Sequence, residues 1–195
     1  MKIVFATSND NKLKEVKLLL KEKFNIISLK DLNHLEEIPE PFKTIEENSA
    51  HKAKVINELY NLNVMAEDTG LEVKALNNEP GVYSARYAGK PPNAENNMSK
   101  LLENLKNEKQ RAAHFKTVFT LIYEGKQVQF TGILSGEIAE KRSGNNGFGY
   151  DPVFIPTNYT KSLAEFSGEE KSKISHRAIA FNKLAEYLMR ECKNA

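Results

Sequence analysis

The chain has 195 residues, of which 40% are hydrophobic and 28% charged, with a formal net charge of +2. That length supports a sizeable core, while the small net charge gives no reason to expect a nucleic acid or an anionic membrane as partner. No run of about 18 apolar residues is present, so no membrane-spanning helix is expected, and the single cysteine, Cys192, excludes an internal disulfide and a cysteine-based zinc cluster.

The opening stretch MKIVFATSND has neither the long apolar region nor the small-residue cleavage site of a signal peptide, so a cytoplasmic protein is expected. Lys2 to Ala6 reads as a short buried strand. Leu13, Val16, Leu19, Leu20 and Phe24 then recur at helical spacing. Asn25 to Leu29 reads as a second strand. Pro39 and Pro41 make Glu36 to Lys43 a loop or extended chain. Ile45 to Tyr60 follows as a helix, with Ala50, Ala53, Ile56 and Tyr60 on one stripe. Val64 to Asp68 is the next strand, ending at a turn at Thr69-Gly70. This alternation predicts an α/β core. Further on, Asn93 to Leu105 reads as a helix. Ala112 to Tyr123 and Val128 to Ile138 read as long strands joined in a hairpin at Glu124-Gly125-Lys126. RSGNNGFGYDP reads as a loop, and a final helix from about Ser175 turns Ala180, Phe181, Leu184 and Leu188 inward. Together these predict an elongated mixed β-sheet flanked by helices, possessing two lobes.

Four stretches carry groups suited to chemistry. In TSNDNK, Thr7 to Lys12, a helix N-terminus presents N–H groups and capping side chains, an arrangement that attracts anions. Lys12 opposes the helix dipole there, which favours a bound anion as its reason; the plain alternative is ordinary capping beside a solvated lysine. In VMAEDTGLEV, Glu67 and Asp68 place two carboxylates side by side, a pattern that suits a hard cation; the plain alternative is a solvated turn. In SGNNGFGYDP, three glycines permit close approach of backbone to a ligand, Phe148 and Tyr150 offer rings for stacking on a base, and Asp151 offers an acceptor. A surface turn with its aromatics tucked back is the competing reading. In EEKSKISHRAIAF, Lys171, His176 and Arg177 gather cations around a helix start that Ser175 caps; a solvated basic turn is the plain alternative. No G-x-S-x-G, H-E-x-x-H or Walker spacing occurs. His34, His51 and His114 show no recognisable partner in the sequence and read as structural or surface histidines.

The pieces FATSNDNK, TIEENSAHKA, AEDTGLEV, PGVYSARYAG, GFGYDPVF and EEKSKISHR occur in this order along nearly the whole chain. In them the sequence resembles the inosine triphosphate pyrophosphatase family, the Ham1-like nucleoside triphosphate pyrophosphatases. The resemblance implies one such domain over residues 1–195, with its active-site cleft between the two lobes, and a homodimer. It implies Mg²⁺-dependent hydrolysis of non-standard purine nucleoside triphosphates (ITP, dITP, XTP) to the monophosphate and pyrophosphate, which removes them from the nucleotide pool.

By motif position, Thr7, Ser8, Asn9, Asp10, Asn11 and Lys12 correspond to the phosphate loop. Asp68 corresponds to the catalytic acid and metal ligand, and Thr69 to the adjacent substrate contact. Phe148, Gly149, Tyr150 and Asp151 correspond to the base and sugar loop, and Lys171, His176 and Arg177 to the remaining substrate contacts. Glu40 falls where a second metal carboxylate is placed, with Glu67 as the competing candidate. Two departures stand out: Ser8 replaces the usual glycine of the phosphate loop, and Glu67 replaces the first acid of an Asp-Asp pair. Ser8 then needs an ordinary backbone conformation or accepts strain. Two rivals remain at this level: a related pyrophosphatase acting on modified pyrimidine nucleotides, and a nucleotide sensor without turnover.

Overall fold

The structure is a computed structural model that describes residues 2–20 and 25–191. Phe24 and Cys192 lie outside the described residues, as do the side chains of Leu19 and Leu20. The described elements are β1 (Lys2–Ala6), α1 (Asp10–Leu20), β2 (Asn25–Ser28), α2 (Ile45–Tyr60), β3 (Val64–Val73), β4 (Pro80–Gly81), α3 (Ala94–Asn104), β5 (Ala112–Tyr123), β6 (Lys126–Ile138), β7 (Phe154–Pro156), α4 (Gly168–Ile174) and α5 (His176–Glu191). The strands form a mixed sheet in the order β2-β1-β3-β5-β6-β7, with β4 on β3. β1 pairs in parallel with both β2 and β3, and β7 pairs antiparallel with β6. The expected mixed α/β class is therefore the observed one.

The chain divides into two compact units, Met1–Asp68 with Thr117–Gly132 and Arg177–Ala195, and Thr69–Lys116 with Ile133–His176. In the first unit β1 and the first part of β3 are buried on both faces, in keeping with their apolar runs Ile3–Ala6 and Val64–Ala66. Alternate residues of β1 serve opposite faces. Ile3 and Phe5 join Met65 and Phe119 under Val16 of α1 and Phe181, Leu184 and Leu188 of α5. Val4 and Ala6 join Val64 and Ala66 under Ala53 and Ile56 of α2. The second unit has its own core, in which Leu71, Val73, Met98, Leu101, Phe115, Phe154 and Phe166 meet.

Local chemistry explains the boundaries. Thr44 caps α2, accepting from the Glu47 N–H at 3.2 Å, and Asn61 ends it in the left-handed region at φ 50°. The β5–β6 hairpin turns on Glu124 and Gly125, both with positive φ, as a two-residue turn requires.

Two expectations need correction. β3 does not turn at Thr69-Gly70 but runs on to Val73, because Leu71 and Val73 are fully buried and hold the extension in the second core. The stretch before Ser175 contains a helix, α4, where none was expected. Ser167 and Glu170 cap each other's backbone N–H groups at 3.1 and 2.7 Å, the reciprocal pattern of a capping box.

Candidate active site

The adjacent acids of β3 lie on opposite faces of the strand, and each meets its own cations. Glu67 points to the side of α1 and α5. Its carboxylate accepts from Arg177 Nε at 2.7 Å and Nη2 at 3.0 Å, and pairs with Lys12 Nζ at 3.1 Å. Asp68 points to the side of α2 and accepts from Lys52 Nζ at 3.0 Å. Lys52 also reaches Glu40 Oε1 at 2.7 Å, so two carboxylates converge on one ammonium. All of these groups belong to the first unit.

Asp68 is 5% exposed. Burial lifts its carboxyl above the ordinary carboxylate value; Lys52 and Lys12 pull it down, and Glu40 adds to the rise. Burial works to lower the Lys52 ammonium, and Asp68 and Glu40 outweigh it, so Lys52 stays charged. Arg177 is 1% exposed. All three of its nitrogens donate to carboxylates, Nη1 to Glu15 and the other two to Glu67, and these outweigh the burial that disfavours its charge.

This geometry changes three sequence readings. Lys12 is not a solvated lysine, since its side chain is 16% exposed and ion-paired. Glu67 supplies the negative charge that offsets its unfavourable place near a helix N-terminus, so no bound anion is needed to explain it. Glu67 faces away from Asp68 and is occupied by Lys12 and Arg177, which leaves Glu40 as the carboxylate that shares a cation with Asp68. The neighbouring acids thus meet protein cations separately, Glu67 on one face of β3 and Asp68 on the other.

The phosphate-loop expectation is also refined. Asn9 Oδ1 accepts from the N–H groups of Asn11 at 3.0 Å and Lys12 at 3.2 Å, and Asn9 N–H donates to Thr7 Oγ1 at 3.2 Å. Two of the N–H groups expected to face an anion are thus capped by Asn9. Asp10 is exposed and pairs with Lys30 at 2.8 Å. Ser8 is not among the described residues with positive φ, so it takes an ordinary conformation in place of glycine.

In the second unit, the GFGYDP loop is organised around Asp151, which is 2% exposed. Its Oδ2 accepts from the Phe148 N–H and from Lys171 Nζ, both at 2.8 Å. A side chain at Gly147, where φ is +77°, would collide with that carboxylate. Tyr150 is buried in the second core and donates to the Ser84 carbonyl at 2.8 Å; burial and Tyr87 raise its phenol above the ordinary value. Of the two loop aromatics, Tyr150 is thus packed into the core. Phe148 is only partly buried, with Lys171 Nζ 4.9 Å from its ring centre. His176 stacks on Phe115 at 4.6 Å, and Thr69 continues β3 beyond Asp68. Gly149 takes a φ of +65° in the same loop, a conformation that favours glycine. His34, His51 and His114 do have partners here, Tyr60, Phe42 and Glu72 respectively, all outside these clusters.

Lys52 belongs to none of the four stretches that stand out in the sequence. The signal lay in α2, whose buried residues Ile45, Asn48, Ser49, Lys52, Ala53 and Ile56 include three polar ones. Polar residues on a stripe that ought to be apolar mark a face that does more than pack.

Comparison with known proteins agrees with these motifs. The Ham1 family model matches residues 3–187. The chain belongs to the Ham1 family. The dITP/XTP pyrophosphatase of Flavobacterium johnsoniae is 53% identical over 188 residues, covering 96% of this chain and 98% of that one. The dITP/XTP pyrophosphatase of Porphyromonas gingivalis is 46% identical over 189 residues, covering 96% and 97%. Among solved structures, the Staphylococcus aureus Ham1 protein superposes with a TM-score of 0.90 at 40% identity, covering 98% of this chain and 100% of that one. A Coxiella burnetii HAM1 protein gives 0.90 at 35%, covering 97% and 99%. No helix among the described residues is long and apolar enough to cross a membrane.

Proposed function

We propose that this Ham1-family protein hydrolyses non-standard purine nucleoside triphosphates, ITP, dITP and XTP, between the α and β phosphates, releasing the monophosphate and pyrophosphate. The carrying observation is a pair of carboxylates, buried Asp68 and partly buried Glu40, converging on Lys52, in a chain that is 53% identical to a dITP/XTP pyrophosphatase.

The donor set fits Mg²⁺. Among the described residues no three His, Cys, Asp or Glu side chains cluster as a dedicated cage, and Mg²⁺ ordinarily takes one or two carboxylates plus substrate oxygens and water. Asp68 and Glu40 would hold it, and it would supply neutralisation of phosphate charge and polarisation of the α-phosphorus. The remaining steps belong to the chain. Asp68 orients a water toward the α-phosphorus and takes its proton; burial, which favours its protonated form, suits that task. Lys52 holds Asp68 in place. Lys12 engages the triphosphate, exchanging part of its contact with Glu67 for phosphate oxygens. Thr7, Ser8, Asn9, Asp10, Asn11 and Thr69 are carried as further contacts by motif position. Phe148 is assigned the base-stacking role, with Gly149, Asp151, Lys171, His176 and Arg177 as contacts to sugar and base. The same reading carries a cytoplasmic homodimer, which light scattering on purified protein checks.

The test is pyrophosphate release from ITP, dITP, XTP, ATP, GTP and a set of modified pyrimidine triphosphates with Mg²⁺. We expect kcat/KM for the first three to exceed that for ATP by roughly 10²-fold or more, since unpaired polar groups in a closed pocket reject the wrong base strongly. Preferential turnover of the pyrimidine set, or binding without turnover, overturns the proposal.

A further inference from the structure

The geometry points to Asn48 as the positioning residue that sets the place of Glu40, and through it the spacing of the two carboxylates. This rests on the reading of Glu40 and Asp68 as a cation-binding pair. Glu40 lies in a segment without regular secondary structure between β2 and α2, an uncertain mount for a side chain whose carboxylate must stand at a fixed point. Two features make it firm.

The first is a clasp. Asn48 is 0% exposed on the inner face of α2. Its Oδ1 accepts the Phe42 N–H at 2.9 Å and its Nδ2 donates to the Phe42 carbonyl at 3.1 Å. Both poles of one backbone unit are held by one side-chain amide, much as a neighbouring strand would hold them. The second is stiffness between the clasp and Glu40. The chain reads Pro39-Glu40-Pro41-Phe42. Each proline ring fixes its own φ, and Pro41 also confines Glu40 to extended backbone. Few soft torsions separate Phe42 from Glu40, so an anchor at Phe42 is an anchor for Glu40.

The same helix then closes the loop. Lys52 stands one turn after Asn48 on that face and reaches Glu40 at 2.7 Å and Asp68 at 3.0 Å. One turn earlier in the packing, Ser49 Oγ lies 3.3 Å from the Ala66 carbonyl and 2.9 Å from that of Val118, which fixes α2 against β3 and β5. Asn48 and Lys52 thus bring Glu40 to Asp68 from a helix pinned to the strand that carries Asp68.

The experiment uses Mn²⁺ alone as probe, read by electron paramagnetic resonance on the full chain without nucleotide. Wild type is compared with Glu40→Gln, Asn48→Ala, the double variant and Pro41→Gly; circular dichroism checks the fold, and hydrogen exchange reads the Phe42 amide. We expect Asn48→Ala to weaken Mn²⁺ binding by about 10- to 100-fold, the range for lost outer supports of metal ligands. Exchange at Phe42 should rise. The double variant should bind no more weakly than Glu40→Gln alone, because Asn48 acts through Glu40. Pro41→Gly leaves the clasp intact and should weaken binding in the same direction, which keeps the test decisive if Asn48→Ala does not fold. Wild-type affinity in a folded Asn48→Ala or in Pro41→Gly, or losses that multiply in the double variant, would overturn the inference while leaving Glu40 as a ligand. Unchanged affinity in Glu40→Gln itself would remove the cation-binding reading and this inference with it.

Discussion

Asp68→Asn is expected to lower kcat on ITP by roughly 10²-fold or more, in line with typical general-base and electrostatic contributions, while leaving the fold intact. The substitution keeps the shape of the side chain and an oxygen that still accepts from Lys52, now 3.0 Å from Asp68 Oδ1. Lys52 also keeps Glu40 at 2.7 Å, so no buried ammonium is stranded. What disappears is the charge that, in the proposed mechanism, holds a cation and receives a proton. Steady-state kinetics beside thermal unfolding check both halves. More than about a tenth of the wild-type rate would remove Asp68 from the catalytic role, since a general base supplies more than that.

Arg177→Ala is expected to be the most destabilising single change at the site. It takes the guanidinium away from Glu67, whose carboxylate is 0% exposed. Removing one partner of a buried ion pair costs about 3–5 kcal/mol, and for a chain of this size each kcal/mol moves Tm by about 2–4 °C. A drop in Tm of roughly 6–20 °C follows. Replacing Glu67 by Leu in the same variant should recover part of it, because the uncompensated charge is then gone. Equal Tm in wild type and Arg177→Ala would contradict the role of brace. Arg177→Lys keeps a charge on Glu67 and so isolates the proposed base contact. A guanidinium only donates, which matches the 6-oxo group of hypoxanthine and opposes the 6-amino group of adenine. The ITP-to-ATP ratio of kcat/KM should fall in Arg177→Lys, since a point donor does not reproduce a planar fork. An equal fall on both nucleotides would restrict Arg177 to its carboxylate partners.

What could be read from the sequence was what is local. Periodicity placed α2 at Ile45–Tyr60 and β5 at Ala112–Tyr123, as observed, because their apolar spacing and turn residues agree with the final packing. TSNDNK, the acids Glu67-Asp68 and the GFGYDP loop stand out because each concentrates capping residues, like charges or glycines within a few positions. What escaped was set by distant partners. Arg177 and Glu67 lie 110 residues apart, and nothing local announces that one neutralises the other. From the sequence β3 ends at Thr69-Gly70, as those residues resemble a turn, whereas Leu71 and Val73 carry it on into the second core. Tyr150 looked like a loop aromatic until the Ser84 carbonyl and that core claimed it. Two further features do have local signals. The Ser167–Glu170 box announces α4, and Asn48, Ser49 and Lys52 sit at helical spacing among the buried residues of α2.

The most direct test of the account is hydrolysis of ITP with Mg²⁺ in ¹⁸O-labelled water, followed by mass analysis of both products. In the proposed mechanism water oriented by Asp68 attacks the α-phosphorus and pyrophosphate leaves, so the label must appear in inosine monophosphate and be absent from pyrophosphate. Label in pyrophosphate, or release of labelled orthophosphate in place of pyrophosphate, would place the attack at another phosphorus and contradict the assignment of this site.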